Sequence, residues 1–151
     1  MTPEEKLNEL GFEVPSAPEP VAEYIPVRKA GGLIFCSGQG PVVDDEFVYT
    51  GRIGKELGIE EGFECAQICA LNCLAAINSI SPLHKIEKIV KVRGFVNSAD
   101  DFTDQPQVIN GASELLINVF EDRGKHARSA LGTSVLPDNI PVELEMIVKT
   151  F

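Results

Sequence analysis

The chain reads as an α+β domain in which a mixed sheet carries two long helices on one face. Three observations predict this: two segments of helical apolar period, several runs with strand-like alternation, and the order hairpin, strand, helix, strand, helix, strand, strand. Its 151 residues suit about one domain with one core.

Thr2, Pro3 and Glu5 form a capping-box pattern with proline at the first helical position, and Gly11 is a stop, so a short helix opens the chain. Pro15 to Pro20, PSAPEP, is too rich in proline to join a sheet interior and reads as an extended linker. Tyr24–Lys29 and Leu33–Ser37 flank Ala30, Gly31 and Gly32, a hairpin signal, and a weak strand is expected over Phe47–Thr50. Residues 60–80 place Phe63, Ala66, Ala70, Leu74 and Ile77 beside Cys65, Cys69 and Cys73 on one helical stripe that ends near Pro82. From Ile86 to Val96, Val90, Val92, Gly94 and Val96 share one parity and Lys91, Arg93 and Phe95 the other, a half-buried strand. Pro106 starts the second helix, with Val108, Ala112, Leu115 and Val119 as its stripe, widened by Ile109, Leu116 and Phe120, and Gly124 beyond its end. Two tail strands follow, Ala127–Val135 and Val142–Phe151, joined by LPDNIP.

In the last strand Val142, Leu144, Met146 and Val148 can pack under the helices, which sends Glu143, Glu145 and Ile147 to the opposite face. A half-apolar face containing acids suggests a subunit interface that encloses polar pockets.

Composition narrows the function classes. Thirteen basic against 23 acidic residues give a net charge of −10, which repels a polyanion unless a basic patch exists, and no run of sequence supplies one; no nucleic-acid partner is expected. No stretch approaches the ~18 apolar residues of a membrane span, and MTPEEKLNEL lacks the basic start and apolar core of a signal peptide, so a cytoplasmic protein away from membranes is expected. The cysteine stripe lacks zinc-type CxxC spacing and reads as core in a reducing compartment, with redox sensing as the alternative; Cys36 reads the same way. His84 and His126 stand apart without ligand-like acids nearby, so neither a metal nor another cofactor is expected.

The most informative stretch is HARSALGTS, residues 126–134. One parity reads Arg128, Ala130, Gly132, Ser134, a single large cation followed by small residues that leave room for a ligand. A guanidinium binds a carboxylate through two parallel hydrogen bonds, so Arg128 is a candidate anchor for a small carboxylic acid, with an interfacial salt bridge as the other reading. Glu143 is solvated, paired with arginine, or set beside a ligand to orient water. If LPDNIP makes a simple hairpin, Arg128 and Glu143 lie about six residue steps or roughly 20 Å apart, and a shared site must bring Arg128 of one subunit against Glu143 of its neighbour. Ser37, Gly38, Gln39, Gly40 and Pro41 can bring backbone close to a ligand or simply end a strand; the run lacks the lysine and spacing of a phosphate loop.

Tyr24 after the linker, LIFCSGQGP at 33–41, VRGFV at 92–96, NGASELL from Asn110, ARS at 127–129, LP at 136–137 and VELE at 142–145 together resemble the RidA/YjgF family, also called the L-PSP endoribonuclease family. The resemblance runs from about Tyr24 to Phe151, dividing the chain into a helix and linker at 1–20 and a RidA/YjgF-like domain at 21–151. It implies a chorismate-mutase-like subunit, a homotrimer and three pockets between subunits. In deaminase members such pockets hydrolyse 2-imino acids to 2-keto acids and ammonia. By motif, Arg128 matches the carboxylate-binding arginine and Glu143 the acid near the attacking water, and Tyr24, Ser37, Gly38 and Asn110 match further pocket positions.

This chain departs from the short members in having Ala130 where a cysteine is common, so that only a backbone contact survives there. It also has His126 where proline is common, a longer connection from Asp101 to Asn110, and the extra N-terminal helix. These features suggest a longer subgroup, and a shared fold does not by itself carry over chemistry. The expected activity is a cofactor-free enamine/imine deaminase acting on small 2-imino acids, with Arg128 holding the carboxylate, Glu143 activating water, and Tyr24, Ser37, Gly38, Asn110 and Ala130 shaping the pocket. A non-catalytic carboxylate sensor or chaperone is the second reading, and a ribonuclease, which the net charge disfavours, the third.

Overall fold

Parallel strands need a crossover of a dozen or more residues, and both long helices of this chain serve as such crossovers. The computed structural model describes residues 1–17, 19 and 22–151. In chain order the elements are α1 (Pro3–Glu9), β1 (Val27–Ala30), β2 (Leu33–Gln39), β3 (Val42–Val43), β4 (Glu46–Phe47), α2 (Ile59–Asn78), β5 (Ile86–Asn97), α3 (Gln105–Phe120), β6 (Ala127–Thr133) and β7 (Val142–Thr150). The main sheet has the order β1-β2-β7-β5-β6. β2 and β5 each run antiparallel to β7 and are therefore parallel to one another, with α2 between them in sequence. β5 and β6 pair in parallel and are joined through α3. The expected α+β architecture with two long helices on one face is thus the observed one.

The capping box forms as the sequence requires: the Glu5 amide donates to Thr2 Oγ1 at 3.1 Å and the Thr2 amide to Glu5 Oε2 at 2.8 Å. Leu7 then joins the same core as the long helices. The linker expectation falls in part on Pro18 and Pro20, which lie outside the described residues. On α2 the stripe Cys65, Ala66, Cys69, Ala70, Cys73, Leu74 and Ile77 is fully buried, whereas Phe63 is only half-buried. On α3 all seven stripe residues are buried. Burial pushes the Cys65 thiol up to about 12 and those of Cys69 and Cys73 well above the usual range, consistent with small core side chains. Among the described residues no helix is long and apolar enough to cross a membrane.

Four expectations are corrected. The weak strand lies at Val42–Val43 and Glu46–Phe47 rather than 47–50, closed by Asp44 and Asp45 with φ of 51° and 65°, the left-handed pair that a tight hairpin needs. The tail strands do not form a hairpin, because β5 lies between β6 and β7 and takes both as partners. Ile89, not Val90, faces the core, because the β5–β7 register shifts between Ile89 and Lys91 and the bulge resets the alternation. The small residues of β6 make room for α3: Ala130 packs on the core, and a Cβ on Gly132 would lie 2.7 Å from Gln105 Nε2.

Two glycines let α3 settle onto its neighbours. A Cβ at Gly111 would collide with the backbone carbonyl oxygen of Phe63 on α2, and one at Gly94 with the Ile109 side chain. Gly111→Ala meets rigid backbone and should cost about 1–3 kcal/mol or more, read as a lower urea midpoint at unchanged slope. Cys65, Cys69 and Cys73 should react with Ellman's reagent only as the protein unfolds; rapid modification of all three in the native state would contradict their burial.

Candidate active site

The candidate residues divide into two groups on opposite sides of the sheet. On the helix-free side the β2–β7 register shifts between Cys36 and Gln39, so β2 carries one extra residue there, and Ser37 and Gly38 sit in that bulge. Bulges re-aim side chains and open the ladder, which a plain strand end would not do. The Ser37 amide donates to the Pro26 carbonyl at 2.8 Å and its hydroxyl to the Ile25 carbonyl at 3.0 Å. These bonds tie down the segment next to Tyr24, which is exposed. Gly38 lies directly on Glu143: any Cβ would strike Oε1 and come within 3.0 Å of Cδ. Strand alternation turns Glu143 away from buried Val142 and Leu144, as the sequence predicts.

Burial holds the Glu143 carboxyl above the ordinary glutamate range, and the charge of Glu145, two residues along the same face, adds to the effect. A carboxylate of raised pKa keeps its proton to higher pH and, once ionised, is a stronger base than an exposed glutamate. Glu145 itself pairs with Arg93 at 3.0 Å. Beside them opens a hollow of about 350 Å³ whose lining includes Ser37, Phe35, Arg28, Lys91, Arg93 and Glu145. Three cations thus converge on a chain of net charge −10, a basic patch that sequence order concealed.

The second group lies on the helix side, at the edge strand β6. Arg128 reaches α3, where Nη1 donates to Asn110 Oδ1 at 2.8 Å and Ser113 Oγ at 3.0 Å, and Nη2 lies 3.4 Å from the Pro106 carbonyl. Asn110 and Ser113 are three apart on the helix and share a face. Ser113 Oγ is also 2.9 Å from His126 Nε2, and His126 Nδ1 is 2.7 Å from the Gly124 carbonyl. These side chains, with Ile117 and Lys125, line a second open hollow of about 410 Å³. Sequence reasoning did not single out Ser113, and it considered His126 as a metal ligand and as a departure from the family motif, not as a hydrogen-bonding partner. The available signals were the i, i+3 spacing from Asn110 and the shared parity of His126 and Arg128.

The strand registers align Arg128 with Val92 and Glu143 with Phe95. The two residues are therefore three steps apart along the sheet and two strands across, about 14 Å between Cα atoms, and their side chains leave opposite faces. Within one chain they cannot hold one small ligand. Among the described residues no three His, Cys, Asp or Glu side chains converge to hold a metal ion.

The fold is a small α+β domain of the chorismate-mutase-like kind, with one polar group at a sheet edge and the other on the open sheet face. Residues 4–148 match the family described as "YjgF/chorismate_mutase-like, putative endoribonuclease", and the chain belongs to that family, RidA/YjgF. Protein TCP17 of Trypanosoma cruzi is 37% identical over 145 residues, covering 95% of this chain and 91% of its own. A 2-iminobutanoate/2-iminopropanoate deaminase of Dermatophagoides farinae is 30% identical over 138 residues, covering 91% and 93%. The crystal structure of a protein of unknown function from Agrobacterium tumefaciens superposes with a TM-score of 0.93 at 38% identity, covering 99% of this chain and 92% of that one.

Carboxyl NMR should find Glu143 titrating above an exposed glutamate. Glu145→Gln removes one cause and leaves Arg93 nearby without its partner, so the Glu143 midpoint should move to lower pH. A midpoint that stays put would remove Glu145 from the account.

Proposed function

We propose that this protein hydrolyses small 2-imino acids to 2-keto acids and ammonia, in pockets formed where the β6 edge of one subunit meets the helix-free sheet face of the next in a homotrimer. The observation that carries this reading is the division of Arg128 and Glu143 between opposite faces of one sheet. An anchor and a base with matching chemistry are each built, yet neither reaches the other within a chain. A neighbouring copy supplies the missing half.

An imine carbon is already electrophilic, so the site has only to hold the carboxylate, protonate nitrogen and position water. The bonds to Asn110 and Ser113 occupy Arg128 Nη1 and that to the Pro106 carbonyl takes one Nη2 proton, which leaves Nε and the second Nη2 proton for a carboxylate. Glu143, ionised, takes a proton from the attacking water, and Ser37, Gly38 and Tyr24 border that side of the pocket. Asn110 acts through Arg128, and Ala130 offers a backbone contact on the outer edge of β6. The deaminase relative in Dermatophagoides farinae supports the reaction class. A cytoplasmic location and independence of any cofactor belong to the same proposal.

Arg128→Lys keeps the charge but loses the planar pair of donors, so calorimetry should find weaker binding of 2-oxobutanoate and less change for neutral compounds. Glu143→Gln should lower imine turnover about 10²-fold or more while product-analogue binding changes much less. Assembly has its own check. Arg128→Ala and Glu143→Ala subunits, each inactive alone, should regain about a quarter of the sites when mixed at equal amounts after dissociation, since each site draws on two subunits. A stable monomer in light scattering, or no rescue on mixing, would sink the shared pocket. Wild-type protein without turnover but with arginine-dependent keto-acid binding would instead identify a carboxylate sensor.

A further inference from the structure

With a neutral imidazole, the chain of hydrogen bonds behind Arg128 has one consistent direction. The Gly124 carbonyl can only accept, so His126 carries its proton on Nδ1, and in the neutral ring Nε2 is left as an acceptor. Arg128 can only donate, so Ser113 Oγ accepts from Nη1 and its own proton is free to go to His126 Nε2. The carbonyl at the end of the chain is rigidly placed: Gly124 is buried, and a Cβ there would collide with the Leu116 carbonyl. With Asn110 taking the second Nη1 proton, that nitrogen is saturated. Its orientation fixes the plane of the guanidinium; Nη2 spends one proton on the Pro106 carbonyl at 3.4 Å and keeps the other, so that proton and the Nε proton form the edge left to grip a carboxylate through two bonds.

We propose that Ser113 and His126 are positioning residues for Arg128, a relay that orients the guanidinium so that its Nε–Nη2 edge receives the carboxylate of a small 2-imino or 2-keto acid. The inference rests on Arg128 being the carboxylate anchor. It adds that the anchor is aimed by a serine and by one tautomer of a histidine, neither of which touches the ligand. Without the relay the arginine keeps its charge but samples other orientations, so recognition of a planar carboxylate suffers more than recognition of a neutral group.

The test is calorimetric titration of the full-length assembled protein with pyruvate and with its neutral isostere pyruvamide. Arg128→Ala should abolish pyruvate binding. Ser113→Ala and His126→Phe should each weaken pyruvate about five- to tenfold, the scale of losing one ordinary hydrogen bond, with pyruvamide unchanged. His126→Gln, whose amide oxygen can accept the Ser113 hydroxyl, should recover most of the loss, which a merely structural role for the ring would not produce. Wild-type pyruvate affinity in Ser113→Ala and His126→Phe, with binding lost in Arg128→Ala, would overturn the relay and leave the anchor standing; wild-type affinity in Arg128→Ala would remove the anchor itself. A measurement on the unaltered protein covers variants that fail to fold. Imidazole nitrogen shifts should place the His126 proton on Nδ1, and a neutral ring protonated on Nε2 would overturn the proposal.

Discussion

The close approach of α3 to its neighbours governs the rest of the molecule. Gly111 brings its backbone against the Phe63 carbonyl of α2, Gly94 clears the sheet under Ile109, and Gly132 clears it under Gln105. Any larger residue at the first two positions would lift or tilt the helix, and interiors packed at crystal-like density pass such shifts on rather than absorb them. One face of α3 carries Asn110 and Ser113, so the same seating that closes the core sets the position of the Arg128 guanidinium. Packing and site geometry are one constraint here.

The second determinant is the central place of β7. As the antiparallel strand between β2 and β5, it lets both crossover helices lie on one side, which leaves the other side of the sheet bare. Its alternation then puts Glu143 and Glu145 on that bare face, where burial and mutual repulsion hold Glu143 toward its protonated form. The extra residue in β2 carries Gly38 onto the same carboxyl, an approach that only a residue without a side chain allows. Arg128, on the outermost strand, faces the other way. The sheet therefore presents an arginine and a glutamate at two different surfaces of one chain.

Much of this was legible from residue order. The helical stripes of α2 and α3, the capping box of α1 and the alternation of β7 all depend on neighbours within a few positions, so periodicity exposes them. Arg128, Glu143, Ser37, Gly38 and Asn110 stood out because unusual residue types or family-like motifs marked them. The β5 bulge at Val90 and the partner of β6 did not, since each depends on a strand distant in sequence, and the two-residue strands around Asp44 and Asp45 are too short to show any alternation. Sequence adjacency made LPDNIP look like a hairpin turn, whereas β6 takes its hydrogen bonds from the strand that α3 connects to it.

By itself, then, the sequence determined the helices and the long strands, the apolar faces of α2, α3 and β7, and which side chains could do chemistry, because these follow from local periodicity and side-chain type. Only the tertiary structure decided that Arg128 and Glu143 leave opposite faces, that Arg28, Lys91 and Arg93 converge on one hollow, and that His126 stands behind the arginine through Ser113. Those relations are set by strand order, register and the depth at which a helix packs. They arise between residues far apart in the chain, through backbone hydrogen bonding and van der Waals closeness that no local pattern encodes.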